Sequence, residues 1–99
     1  MILESAEIHI KPDMAAAFEA GVSAAAPLFR RARGCMGLQL QRGIEDPYAY
    51  RLLVQWQTIE DHTVHFRASD DFQKWRELVG HCFDAPPVVS HLAVAVAAF

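Results

Sequence analysis

Polar and apolar positions change period several times along this chain, and each change marks an element. From Ile2 to Lys11 they alternate: Ile2, Ala6, Ile8 and Ile10 share one face, while Leu3, Ser5, Glu7, His9 and Lys11 share the other. That period of two predicts a half-buried strand. Pro12-Asp13 ends it, and Asp13 is placed to cap a helix over about Met14–Ala32. In that helix Met14, Phe18, Val22, Ala25 and Phe29 recur at spacings of three and four. Pro27 lies within it and removes one amide donor, and Gly34 closes it. A second strand is expected over Cys35–Arg42, a turn at Gly43–Pro47, and a third strand over Tyr48–Trp56 with Tyr50, Leu52, Val54 and Trp56 on one face.

Thr58-Ile59-Glu60-Asp61 matches a capping box and predicts a short helix to about Ala68. Ser69-Asp70-Asp71 caps a further helix whose stripe is Phe72, Trp75, Val79 and Phe83. After the Pro86-Pro87 break, Val88–Phe99 reads as a last strand that is apolar on both faces. The order β-α-β-β-α-β is the ferredoxin-like α+β pattern, with an antiparallel sheet and helices on one side. A sheet covered on one side should show a polar outer face. The last strand does not, so a second copy of the chain is the expected cover, giving a homodimer.

Composition narrows the classes. The chain has 99 residues, room for one domain, and 53% of them are hydrophobic, above the usual range of roughly 45–50%. A subunit interface or an internal cavity would absorb that excess. The formal charge is −3 and the pI about 5.9, which sets nucleic-acid binding aside. Arg30, Arg31 and Arg33 are the one basic cluster and suit the C-terminal end of the first helix. The longest wholly apolar run, Leu92–Phe99, is too short to span a membrane, and the N-terminus lacks the apolar core of a signal peptide. With only Cys35 and Cys82, the expectation is a cytoplasmic protein with two free thiols.

The ordered pieces Ala6-Glu7-Ile8-His9, Lys11-Pro12, Gly34, Glu45-Asp46-Pro47, Leu52-Leu53-Val54-Gln55-Trp56, Glu60-Asp61-His62, His65-Phe66-Arg67, Phe72, Trp75 and Pro86–His91 run the length of the chain. Together they resemble the antibiotic biosynthesis monooxygenase family. That resemblance implies a dimeric α+β barrel whose two sheets meet face to face, with a pocket in each subunit between its own sheet and helices. It also implies, for some members, oxidation of phenolic polyketides, anthrones or quinols by O₂ without metal or flavin. The haem-cleaving branch of the family uses an Asn on the first strand, a Trp ending the third and a His on the last helix. Trp56 fits, but Ile8 and Arg76 stand at the other two places and the chain contains no Asn, which disfavours haem cleavage.

Oxygen insertion without a cofactor needs a substrate that supplies the electrons once deprotonated, a base tuned near neutrality and a dry pocket. Among the five histidines, His62 and His65 share a helical face at a spacing of three and are the candidate catalytic bases. Packing or capping of the sheet end is their alternative role. His91 is expected to face the helices and His9 the subunit interface. With His81 these residues match no closed metal-ligand spacing, so no metal and no other cofactor is expected. Trp56, Tyr50, Phe66, Phe72 and Trp75, with His91, are the candidate substrate-binding residues, able to wall a flat aromatic ligand; plain core packing is the competing role for the aromatics. Arg67 could pair with an oxyanion, or with Asp70 or Asp71. The leading expectation is a cofactor-independent monooxygenase acting with O₂ on a small aromatic, quinol or polyketide-like compound. The alternatives are a non-catalytic binding or stress-response dimer, and an isomerase or cyclisation helper on the same fold.

Overall fold

The computed structural model describes residues 1–99. Four strands, β1 (Ile2–His9), β2 (Cys35–Arg42), β3 (Ala49–Trp56) and β4 (Val88–Leu92), form one antiparallel sheet in the order β2-β3-β1-β4. Helix α1 (Ala15–Arg30) and helix α2 (Asp70–Val79) cover one side. This is the ferredoxin-like α+β arrangement.

Register decides what each strand residue faces, because successive side chains point to opposite sides. Ala6 pairs with Leu52 and Ile8 with Tyr50 across β1 and β3, and all four are buried under the helices with Val54 and Trp56. On the outer face, Glu7 accepts from Arg51 at 2.7 Å and Leu3 stands opposite Gln55 and Leu92. The helices meet closely where α1 lacks a side chain: a Cβ on Gly21 would lie 2.9 Å from the Leu78 carbonyl oxygen and 3.0 Å from a Val79 methyl.

Three expectations about element ends need correction. Asp13 does not cap α1. It adopts a left-handed conformation (φ 65°) in the turn that brings the Met14 amide to the Lys11 carbonyl, and no side chain caps the helix start. The helix expected to run to Ala68 instead contains a π-turn over Asp61–Phe66, where the Arg67 amide donates to His62 O, five residues back. The last strand stops at Leu92 rather than Phe99. Leu92 already pairs with Leu3 near the start of β1, so residues 93–99 have no ladder to join, and Val94, Val96 and Phe99 are exposed. Within one subunit β4 is not covered on both sides; Val88 and Leu92 are exposed.

The C-terminal end of α1 is bolted to the segment that follows β3. Arg31 makes a two-pronged ion pair with Asp71 (2.6 and 2.7 Å), and Arg33 approaches Asp61 at 3.4 Å. Gly34, at φ 74°, packs directly on the Asp61 carboxylate and its carbonyl accepts from the Gln57 amide. Asp61 in turn accepts from the Thr58 amide while its own amide donates to the Thr58 hydroxyl. The predicted capping box is thus realised as the sequence indicated, by Thr58 and Asp61 three residues on. Serine 69 caps α2 as the sequence indicated, accepting from the Phe72 amide.

Candidate active site

Between the helix-facing side of β1 and β4, helix α2 and the loop 80–87 lies a half-open cavity of about 580 Å³. Ala6, Ile8 and Leu52 form its floor, and Phe72, Trp75 and Phe83 line the helix side. Backbone contacts hold the loop to the sheet: the Asp84 amide donates to His9 O, the Lys11 amide donates to Cys82 O, and Ile10 bridges Phe83. The polar groups on this wall are Glu4, His62, Arg67, Arg76 and Asp84.

Glu4 is the residue that sequence reasoning passed over. It is 5% exposed, on the same face as Ile2, Ala6 and Ile8. Its Oε1 accepts from the Trp56 indole at 2.9 Å and lies 3.3 Å from His62 Nε2. His62 Nδ1 is 2.8 Å from His91 Nε2, so Glu4, His62 and His91 form a chain of close polar contacts from the cavity wall to the edge strand, hydrogen-bonded between the two imidazoles. Parity placed Glu4 on the buried face: it is two residues from both Ile2 and Ala6. A buried carboxylate without a counter-ion is uncommon, and that combination is the signal that could have found it.

Burial controls protonation here. Loss of water pushes the Glu4 carboxyl above the usual carboxylate range, against the opposing hydrogen bond from Trp56 and the field of Arg67. The same burial, with Arg67 and His91 nearby, lowers His62 to about 4, so the ring is neutral at neutral pH. His91 is lowered too, by burial and then by Arg67. With both imidazoles neutral, one ring donates and the other accepts in the His62–His91 bond, so the pair is joined without a buried imidazolium.

The structure brings some of the expected site residues together and separates others. His62, Phe72 and Trp75 line the cavity. His91 faces the helices as expected and reaches the site through His62. His65 does not join them; it is exposed. A π-turn is wider than an α-turn, so His62 and Phe66 point inward while His65 turns outward. Trp56 is fully buried, stacked on the His62 ring at 5.3 Å, and acts on the site by fixing Glu4. Phe66 packs in the core among Phe29, Trp56 and Phe72. Tyr50 is on the far side of the sheet's helix-facing layer, its hydroxyl donating to Glu19 at 2.6 Å and its ring under Arg42. His9 lies on the outer side between Asp46 and Asp84. Arg67 pairs with neither Asp70 nor Asp71: Asp71 is taken by Arg31 and Lys74, and Arg67 lines the cavity.

Comparison with known proteins sets this geometry in context. The family model for antibiotic biosynthesis monooxygenase matches residues 1–78. The YczJ protein of Bacillus subtilis, itself uncharacterised, is 36% identical over 91 residues, covering 92% of this chain and 96% of its own. A crystal structure from Bordetella bronchiseptica, described as a candidate antibiotic biosynthesis monooxygenase, superposes with a TM-score of 0.95 at 53% identity, covering 96% of this chain and 97% of that one. SnoaB of Streptomyces nogalater, a cofactor-independent oxygenase, superposes with a TM-score of 0.83 over 98% of this chain and 95% of its own. At 13% identity it shares the fold alone.

Proposed function

Since the chain belongs to the antibiotic biosynthesis monooxygenase family, we propose that its cavity is the reaction chamber of a cofactor-independent monooxygenase acting with O₂ on a small aromatic, quinol or polyketide-like compound. The observation that carries this reading is buried Glu4 in contact with His62, itself bonded to His91, on the wall of a cavity that also presents Arg67, Arg76 and Asp84. Glu4 is the base that touches substrate. Its pKa is raised toward the operating pH, which improves the match between a carboxylate and a weakly acidic phenol or carbon acid. His62 holds Glu4 from one side and Trp56 from the other. His91, only partly buried, is the exit for the proton.

For a methylene flanked by aryl rings, the balance is one CH₂ and one O₂ giving one C=O and one H₂O. Glu4 removes a proton. The resulting carbanion passes one electron to O₂, and the two radicals join through a new C–O bond. The peroxide anion takes a proton back. Loss of the second C–H proton with cleavage of the O–O bond then releases water and leaves the ketone. Arg67 faces the developing oxyanion, and Ala6, Ile8 and Leu52 give the reacting carbon an apolar floor.

The working unit in this proposal is a homodimer joined through the outer face of the sheet. Leu3 and Leu53 are only partly covered, Leu92 is exposed, and Val94, Val96 and Phe99 of the tail have no cover within the subunit. Such a patch is of the kind that marks an interface.

The test is oxygen consumption by chelator-treated protein against a panel of anthrones and quinols, with product followed in parallel. Glu4→Gln is expected to lower the rate by about 100-fold or more, and His62→Ala to lower it as well, while His65→Ala is neutral. Absence of uptake across the panel by a folded dimer, or full activity in Glu4→Gln, sinks the catalytic reading and leaves a binding module.

A further inference from the structure

We propose that the ligand of this cavity carries a carboxylate, and that Arg76 binds it, so that the substrate class is an aromatic or polyketide-like acid rather than a neutral quinol. This rests on the reading of the cavity as the substrate site. Most cations of the chain already have a partner: Arg31 pairs with Asp71, Arg33 with Asp61, Arg42 with Glu19, Arg51 with Glu7 and Lys74 with Asp71. Lys11, Arg30, Arg67 and Arg76 have none, and of these four only Arg67 and Arg76 line the cavity.

The two differ in what they face. Arg67 acts electrostatically on Glu4, His62 and His91, so it belongs to the end where the proton is taken. Arg76 leaves α2 one turn after Phe72, its guanidinium carbon 5.9 Å from the centre of that ring. Phe72 lines the same cavity, so an aromatic ligand lying along it has its edge beside the Arg76 fork. A cation also suits the last turn of a helix, but the dipole asks only for positive charge. A guanidinium held over an aromatic wall is geometrically matched to a planar, two-oxygen acceptor.

Charge balance favours a carboxylate over a phosphate. Glu4 and Asp84 line the same cavity, and although Asp84 Oδ2 is 3.5 Å from His9 Nδ1, both disfavour a dianion. With Glu4 ionised the lining charges cancel, Arg67 and Arg76 against Glu4 and Asp84, so a carboxylate leaves one net negative charge where a phosphate dianion leaves two.

Anaerobic equilibrium binding tests this without requiring turnover. The probes are dihydroxynaphthoate, dihydroxynaphthalene and naphthyl phosphate. The acid is expected to bind the wild-type protein at least about tenfold more tightly than the neutral quinol, the value of one charge-assisted hydrogen bond. The advantage should be lost in Arg76→Gln, partly kept in Arg76→Lys, and diminished by salt, with the thermal midpoint of each variant unchanged because Arg76 is exposed. Equal binding of acid and quinol, tighter binding of the phosphate, no binding of the acid, or a preference that survives Arg76→Gln each overturns the assignment. Oxygen uptake with the neutral quinol alone would sink this inference and keep the oxygenase. Tight binding of the acid with no uptake would do the reverse.

Discussion

Replacing Gly34 with Ala is expected to destabilise the fold by about 3 kcal/mol, and the reason can be divided into two parts. Gly34 has φ 74°, where an L-residue costs about 1–2 kcal/mol. An added Cβ would also collide with the Asp61 carboxylate, which is buried and cannot move without losing its contacts to the Thr58 amide and Arg33. A buried acceptor stripped of its donors costs a further ~1–3 kcal/mol. For a domain of this size the sum is a drop in Tm of roughly 15 °C. Urea unfolding with a two-state fit measures it. Asp61→Ala alone should cost about 1–2 kcal/mol. The double variant should lose less than the sum of the two, because the collision partner is gone while the backbone strain remains. The reasoning is refuted by a loss under about 1 kcal/mol for Gly34→Ala, or by two effects that add within about 0.5 kcal/mol, the usual tolerance for independent sites.

Two further outcomes follow from protonation. His62 is lowered from 6.5 to about 4 on folding, so the unfolded chain binds the extra proton first. Its contribution is fully present above pH 6.5 and is lost as pH falls from there through 4; a denaturation series should show this slope, and His62→Gln should flatten it. An unchanged slope in that variant would mean the ring is not held neutral. Tyr50, raised to about 12 mainly by burial and then by Glu19, should give a phenolate absorbance step near that pH that disappears in Tyr50→Phe. A Tyr50 step at the ordinary value near 10 would contradict the Tyr50–Glu19 bond.

The sequence by itself determined the order of elements, because local period and punctuation are properties of neighbouring residues. Alternation in β1, the stripe from Phe18 to Phe29 in α1 and the Ser69 cap of α2 all require only a few adjacent positions, and all are in place. Parity also put Glu4 on the face of Ile2 and Ala6, where the sequence reading passed it over, while the last strand, apolar on both faces, left the face of His91 for its pairing with β1 to decide. Only tertiary structure decided that Glu4, His62, His91 and Trp56 meet, as their contacts join residues 29 to 58 positions apart. Only it decided the π-turn, which exists because Asp61 is anchored to Thr58 and beside Gly34 at one end while Phe66 must reach the core at the other. That turn reassigns His65 to solvent, although the spacing of the two histidines alone implied a shared face. The end of β4 was decided in the same way: apolar residues continue to Phe99, but a strand persists only where another backbone lies beside it, and β1 supplies none beyond Ile2.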